Sequence, residues 1–408
     1  MKTPLRLILP GLIATLAAAA QENEAILKGL AEITGLAMLK PVVQITMPRE
    51  KLKAYFDERI NEAVKPDEIR IEELALKKLG FAPPEFDLRK TTIDLMAEQA
   101  AAFYDYRKKQ MVLLEGSSPG MMQDMALVHE LAHALADQHF QLEKFIRKGG
   151  SSDDGSLARM AVMEGQATWL MSEFMAKKMG QSLLDSDAAV NMMASMASSG
   201  AGSSAFPILQ SVPLYMRESL IFPYSQGLLF QHKVVSKLGK EGFKEVFRRA
   251  PQSTQEILHP EKYFEKLTPL AAKFPVFPKE KEWKKLTEGS VGEFDHKILL
   301  KQYSPSMELL AEQWRGANYQ LWEDRKDSKR VALVYSSQWA DARSAAEFFA
   351  AYKDILTKKW KKTVFSEEKP NLLAGSSEEG SFTVRLEGTR ISSIEGIPLD
   401  EPRPPQAR

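Results

Sequence analysis

Two histidines lie four residues apart in the segment His129-Glu130-Leu131-Ala132-His133, and a glutamate directly follows the first of them. On a helix, residues four apart share one face, so both imidazoles can reach a single tetrahedral cation. The side chain of Glu130 is displaced by one residue and can address a metal-bound water instead of the metal. Zinc lowers the pKa of such a water towards 7, and a nearby carboxylate can pass the released proton to a leaving amine. The segment therefore predicts a catalytic zinc site.

This spacing is specific because histidine is scarce in the chain. Six histidines among 408 residues give about 0.01 chance matches to H-E-x-x-H. Its surroundings, a predicted hairpin followed by a long helix, strengthen the prediction. The alternative is a helix that carries two purely structural histidines.

A catalytic zinc site needs a third protein ligand, and two residues compete for the role. Glu164 lies on the next predicted helix, where Gly165 permits close approach to the first helix. His139 has the spacing of a three-histidine site, which requires the helix to break at a glycine. Ala136 occupies that position, and on a continuous helix His139 lies about 80° away from the face of His129. The residues favour Glu164, with His139 as the alternative.

Other polar residues are candidates for supporting roles. Asp137 and Thr168 each lie one turn beyond a predicted ligand and could orient it by a hydrogen bond, or could instead have no role in the site. Peptide hydrolysis also needs a donor for the developing oxyanion. Tyr224, His259 and Tyr263 are candidates, of which His259 is the first choice. The alternative for each is a packing role, since aromatic rings near proline commonly fill cores.

The elements that must position these residues are mainly helices. Apolar periodicity predicts helices over 49–61, 67–79 and 90–99, a hairpin formed by 101–106 and 110–114, and long helices over 119–146 and 156–178. The first long helix is expected to start at Ser118-Pro119 and to stop at Gly149-Gly150. Residues 185–211 are rich in Met, Ala, Ser and Gly, which indicates a flexible connection. It is either a plain linker or a lid over the site.

The pattern changes towards the C-terminus. Helices resume from Leu214, and a proline-spaced segment over 274–278 marks an exit from that domain. Strands over 318–323 and 330–336, a helix over 341–359 and a hairpin of 381–386 with 390–394 predict a small α+β domain. Residues 402–408 are expected to form a disordered tail.

The first residues have the pattern of an export signal. Lys2 and Arg6 precede an apolar stretch over 7–20, whose last residues, Ala18-Ala19-Ala20, are small enough for cleavage before polar Gln21. The stretch is too short to span a bilayer comfortably, so we expect cleavage after residue 20 and no stable membrane insertion afterwards. An uncleaved membrane anchor is the alternative.

Composition narrows the range of partners and chemistry. The formal net charge is +1, which gives no reason to expect a nucleic-acid partner. The chain contains no cysteine, so thiol catalysis, thiolate metal ligands and disulfides are excluded.

The H-E-x-x-H helix followed by a helix with a ligand glutamate resembles the gluzincin group of zinc metallopeptidases. The resemblance implies one zinc held by His129, His133 and Glu164, with Glu130 as base and acid. It also implies that the strand before the metal helix, within 103–114, aligns the substrate backbone. By motif it covers residues 100–180 and extends more weakly to about 265. The segments 129–140, 222–227 and 257–263 are similar to those of a bacterial group of exported proteins of this type.

The expected fold is α+β and mostly helical, with a zincin-like metallopeptidase domain and a smaller C-terminal α+β domain. The expected divisions are a signal peptide 1–20, an N-terminal helical region 21–99, the catalytic domain 100–280, the C-terminal domain 286–400 and a tail 401–408. The expected function is zinc-dependent hydrolysis of peptides or proteins in the periplasm or outside the cell. The alternatives are an inactive zincin-fold binding or scaffold protein, and an exported scaffold or inhibitor that acts through its C-terminal domain.

Overall fold

The computed structural model describes residues 9–116, 120–148, 153–200 and 206–399, and it shows an α+β protein that is mostly helical. The helices are α1 (Leu9–Thr34), α2 (Leu52–Ala63), α3 (Pro66–Leu79), α4 (Leu88–Gln99), α5 (Met121–Phe140), α6 (Leu142–Arg147), α7 (Asp153–Lys178), α8 (Asp187–Gly200), α9 (Pro207–Ser211), α10 (Leu214–Leu238), α11 (Gly242–Arg248), α12 (Thr254–Leu258), α13 (Pro260–Phe264), α14 (Glu293–Tyr303) and α15 (Ala342–Lys359). The strands are β1 (Val43–Met47), β2 (Ala102–Asp105), β3 (Gln110–Leu114), β4 (Trp283–Ser290), β5 (Trp314–Asp324), β6 (Val331–Trp339), β7 (Thr363–Lys369), β8 (Leu372–Ser377), β9 (Gly380–Glu387) and β10 (Arg390–Ile397).

A small sheet lies beside helix α5. Its order is β1-β3-β2, with β2 antiparallel and β1 parallel to β3. The predicted hairpin is confirmed, and Asp105 accepts hydrogen bonds from the backbone N–H groups of Arg107 and Lys108 in its turn. Strand β1 was not predicted. Strand β2 is the edge of this sheet, so one row of its backbone groups faces away from β3.

Helix α5 carries the two histidines and is buried over most of its length. Leu131 and Leu135, one turn apart, are both fully buried in the core. The helix continues through Ala136 and ends at Phe140, where Gln141 adopts a left-handed conformation with φ 52°. The prediction of one helix through residue 146 is wrong, because this residue separates α5 from α6. The expected start at 118–119 and stop at 149–150 lie outside the described residues.

Helices α7 and α10 cross with their backbones in contact. A Cβ on Gly165 would lie 2.2 Å from the carbonyl carbon of Gly227, so a larger residue does not fit at this crossing. Glu164 directly precedes Gly165 on α7, and Tyr224 lies one turn before Gly227 on α10. The close crossing therefore brings the side chains of Glu164 and Tyr224 next to each other.

The segment predicted to be a flexible connection is largely helical. Residues 187–200 form α8 and residues 207–211 form α9, whereas residues 201–205 lie outside the description. The inner face of α8 buries Val190 and Ala194 against the core that contains α5 and α10. Alanine and methionine are good helix formers, and here the core contact outweighs the serine and glycine content.

The C-terminal part is built on a seven-stranded antiparallel sheet of order β4-β5-β6-β10-β9-β8-β7. Helix α15 covers one face, where Phe348 and Tyr352 pack with Tyr335 of β6. The proline-spaced segment covers part of the other face, and Phe277 stacks on Trp322 with ring centroids 4.8 Å apart. The predicted strands and hairpin are confirmed with longer bounds and the predicted helix with nearly the same bounds, whereas β4, β7 and β8 were not predicted. The tail lies outside the described residues.

The N-terminal region contributes to both parts of the molecule. Leu27 and Leu30 of α1 are buried with α5 in the helical core. Phe81 and Phe86, which follow α3, are instead buried with the C-terminal sheet. Phe81 stacks on Tyr215 of α10, with centroids 4.2 Å apart.

Helix α1 runs through the expected signal-cleavage site after residue 20. From residue 21 onwards its inner face packs in the helical core. In the described part of the chain, no helix has both the length and the apolarity that a membrane crossing requires. Signal cleavage stays a prediction.

Candidate metal centre

Three side-chain atoms from two helices converge at one point. Nε2 of His129, Nε2 of His133 and Oε2 of Glu164 lie 3.1 Å from one another in each pair. Two ligands about 2.0 Å from a tetrahedral ion are separated by about 3.3 Å, so this triangle fits such an ion closely. Two imidazole nitrogens and one carboxylate oxygen suit a divalent transition metal. These residues could therefore hold a metal ion.

The ligands are largely shielded from solvent. The side chains of His129, His133 and Glu164 are only 12%, 4% and 9% exposed. Burial raises the pKa of Glu164, but the charges and hydrogen bonds of His133 and His129 outweigh burial and hold that pKa well below its usual range. Glu164 is therefore ionised next to the two imidazoles, as a ligand must be.

Glu130 points from α5 towards the edge of strand β2. Its Oε2 accepts a hydrogen bond of 2.7 Å from the backbone N–H of Tyr104. Burial raises the pKa of Glu130 to about 7, with His129 opposing the rise and Glu164 adding to it. A carboxylate with a pKa near neutrality can both accept and return a proton.

Two tyrosines flank the metal ligands. The ring of Tyr224 stacks on His129 with centroids 6.0 Å apart, and the carboxylate of Glu164 is the main reason why the pKa of Tyr224 is raised well above its usual value. The ring of Tyr106 meets His133 edge-on at 6.4 Å. Burial, followed by the charges of Glu164 and Glu130, raises the pKa of Tyr106. Both phenols are therefore neutral and can donate a hydrogen bond.

Tyr106 was missed by the sequence reasoning. The available signal was its position in the hairpin turn immediately after β2, the strand expected to lie beside the metal helix. Tyr224 was a candidate, and the structure brings it to the site.

The structure does not bring the other donor candidates to the ligands. Nε2 of His259 lies 2.6 Å from Oε1 of Glu293, at the junction with the C-terminal part. The choice of His259 as the first donor candidate is therefore not supported by its contacts. Tyr263 is fully buried and donates its hydroxyl to the carbonyl oxygen of Arg249, which is a packing role.

Asp137 and Thr168 do not hold a ligand imidazole. Asp137 accepts hydrogen bonds from Tyr104 and Lys109, so its expected orienting role is corrected. Within the described part of the chain, Nδ1 of His133 and Oγ1 of Thr168 are buried without a hydrogen-bond partner.

His139 lies apart from the metal ligands. Its Nε2 is 2.7 Å from the carbonyl oxygen of Ala37, on the side of α5 that faces the N-terminal region. Helix α5 is continuous through Ala136, as the choice of Glu164 requires. The three-histidine arrangement is therefore not formed.

Comparison with known proteins concerns only the C-terminal sheet. Residues 281–402, less than a third of the chain, match a family model described as a domain of unknown function, DUF8575. Neither the curated proteins nor the solved structures contain a match to the chain. The matched segment spans β4 to β10 and includes none of the three candidate metal ligands.

Proposed function

We propose that the protein is a zinc-dependent peptidase that hydrolyses peptide bonds in peptides or proteins outside the cytoplasm. The observation that carries this proposal is the convergence of His129, His133 and Glu164 on one point, with the Glu130 carboxylate on the same helix as the two histidines. When bound, zinc supplies Lewis acidity and lowers the pKa of water to about 7.

The chain's own residues would then complete the chemistry. Glu130 accepts a proton from the attacking water and returns it to the leaving amine, which its pKa near neutrality favours. Tyr224 and Tyr106 are neutral hydroxyl donors beside the ligands, suited to the oxyanion that develops on the substrate carbonyl. Apart from the Tyr104 N–H, which is bonded to Glu130, the outer edge of β2 offers backbone groups to an extended peptide, as the gluzincin resemblance implies.

The extracytoplasmic setting rests on the sequence. Lys2 and Arg6, the apolar stretch and its alanines have the order of a secretory signal. The destination is the periplasm or the medium.

The decisive experiment compares the mature chain with Glu130→Gln. We expect about one zinc per chain in both proteins, because Glu130 is not a ligand. The wild type should cleave fluorescein-labelled casein, and the variant should lose at least about 100-fold in kcat because an amide cannot accept the proton.

Zinc content is read by elemental analysis and folding by circular dichroism, so a lost activity is not confused with a lost fold. Equal rates in the two proteins would contradict the role of Glu130. A folded, zinc-loaded wild type that cleaves neither casein nor a mixed peptide library would favour the binding or scaffold alternative.

A further inference from the structure

We propose that Asp137 is a positioning residue that holds strand β2 against helix α5 through the hydroxyl of Tyr104, and thereby fixes the carboxylate of Glu130. The catalytic consequence rests on the proposed function. The structural part, which concerns the strand and the backbone amide of Tyr104, does not.

The carboxylate of Asp137 is buried, and both of its oxygens accept hydrogen bonds. Its Oδ2 accepts hydrogen bonds from the hydroxyl of Tyr104 at 3.0 Å and from Nζ of Lys109 at 2.6 Å. Its Oδ1 accepts from the backbone N–H of Leu142 at 2.9 Å, across the left-handed break at Gln141. One side chain thus connects the metal helix, the hairpin and the start of α6. A buried carboxylate with this many partners holds them in defined positions.

Tyr104 contacts α5 at two points that lie on the same face of the helix. Its hydroxyl donates to Asp137, and its backbone N–H donates to Glu130, seven residues earlier. Seven residues are about two helical turns, so Glu130 and Asp137 project on the same side of α5. Two contacts about two turns apart fix the direction of the strand along the helix, which one contact cannot do.

Strand β2 needs such a tie because it is an edge strand. Its outward N–H groups have no neighbouring strand, and the N–H of Tyr104 is bonded to Glu130 instead. If the hydroxyl contact is lost, the strand can shift, and the Glu130 carboxylate loses its fixed donor. Hydrolysis is sensitive to such shifts, since a displacement of about 1 Å can reduce a rate about 100-fold. The hydroxyl of Tyr104 donates to Asp137 and to none of the three candidate metal ligands, so metal affinity should not change.

The test variant is Tyr104→Phe, which removes the hydroxyl and leaves the ring and the backbone N–H. We expect zinc affinity within about twofold of wild type, kcat on labelled casein reduced about tenfold with KM nearly unchanged, and hydrogen exchange at the amide of position 104 at least about tenfold faster. Exchange is measured at single-residue resolution by mass spectrometry.

Two matched controls separate positioning from general damage. Tyr303→Phe removes a hydroxyl that donates to the carbonyl oxygen of Gly80, away from α5, and should leave kcat and the exchange of amide 104 near wild type. Tyr352→Phe removes a buried hydroxyl that donates to Glu395 in the C-terminal sheet. It should affect stability only.

The outcomes are distinguishable. Wild-type exchange at position 104 in Tyr104→Phe overturns the proposal, and so does faster exchange with an unchanged kcat. Faster exchange in the variant, together with zinc binding but no hydrolysis by the wild type, supports the structural tie and rejects the peptidase function. An equal loss of kcat in Tyr303→Phe or Tyr352→Phe would show that the loss of a hydroxyl elsewhere slows hydrolysis as much and would overturn the specific role of Tyr104.

Discussion

At the candidate metal centre, one carboxylate oxygen of Glu164 lies 3.1 Å from each of the two imidazole nitrogens. Each histidine comes from α5, whereas the carboxylate comes from α7, so the centre also fastens the two helices together. Removing Glu164 therefore opens the metal site and removes a contact between helices.

The third ligand is testable by a pair of substitutions. Glu164→Ala should weaken zinc binding by at least about 100-fold, since even the loss of a residue that only supports a ligand weakens affinity about 10- to 100-fold. His139→Ala should leave zinc affinity within about twofold of wild type, because His139 contacts Ala37 instead. Competition with a chromogenic chelator measures both. The reverse pattern, with zinc lost only in His139→Ala, would rule out the arrangement described above.

At this scale, local spacing identified the residues that share one helix. His129, Glu130 and His133 follow from helical periodicity alone. The choice of Glu164 depended on two further inferences, that the helix continues through Ala136 and that Gly165 allows the next helix to approach. Tyr106 reaches the site through the pairing of strands, and the partners of Asp137 depend on how the hairpin packs on α5. Such contacts are set by tertiary packing, which no local pattern encodes.

Among the elements, the crossing of α7 and α10 is the most demanding contact. Gly165→Ala places a methyl group 2.2 Å from the backbone of Gly227. We expect the free energy of unfolding to fall by about 3 kcal/mol, the upper range for overpacking. Zinc affinity should fall as well, because the neighbouring residue is Glu164. The matched control on the partner helix is Ser236→Ala, whose side chain is exposed. It should change stability by less than about 0.5 kcal/mol. Denaturant titration that shows equal stability for Gly165→Ala and wild type would mean that the helices are not in contact.

Elements with strong periodicity were predictable, and weakly patterned ones were not. The hairpin and α15 show regular apolar spacing and were predicted nearly to their bounds. Helix α8 was mistaken for a linker because a run of serine and glycine begins at its C-terminal end, at Ser198, whereas its inner face is stabilised by a distant core. Strand β1 does alternate apolar and polar residues over Val43–Met47, but it is only five residues long and its partner β3 lies more than sixty residues away. Strand β7 has only two apolar residues, which are adjacent, so it lacks the alternation on which strand prediction depends.

In the whole molecule, the junction between the helical part and the C-terminal sheet contains buried carboxyl groups. Asp154 at the start of α7 accepts hydrogen bonds from the backbone and hydroxyl of Thr254, while Asp295 at the start of α14 accepts from Tyr215. Burial raises the pKa of both aspartates, and the charge of Asp295 raises that of Asp154 further. The junction is therefore more stable when it is protonated.

This junction should make stability depend on pH. The folded-state pKa values of the two aspartates lie above the unfolded value of about 3.9. Their contribution is therefore fully present below that pH and is lost as the pH rises through the folded values. In Asp295→Asn, the free energy of unfolding should therefore fall less steeply as the pH rises. Each pKa unit of the rise corresponds to about 1.4 kcal/mol, so the two stability curves should change their separation by at least that amount.

The measurement is chemical unfolding of both proteins with chelator present, from about pH 4 to 9, within the range where the carboxyls titrate. The quantity that decides the outcome is the slope of the free energy of unfolding against pH. A constant difference between the two proteins reports only the hydrogen bonds that the substitution changes. Parallel curves would show that the two aspartates do not titrate across this range.

The burial of Phe81 and Phe86 with the C-terminal sheet has a consequence for the order of folding. The core that receives them is built mainly from residues 291–391 and cannot close until about three hundred further residues have been made. During synthesis these aromatic side chains are therefore exposed until the C-terminal sheet has been made, and exposed apolar surface is prone to aggregate. The entropy cost of closing so long a loop rises only slowly with its length. The loop must nevertheless close before the contacts that stabilise the core can form. A chain with this arrangement reaches its native state only after the whole polypeptide is available.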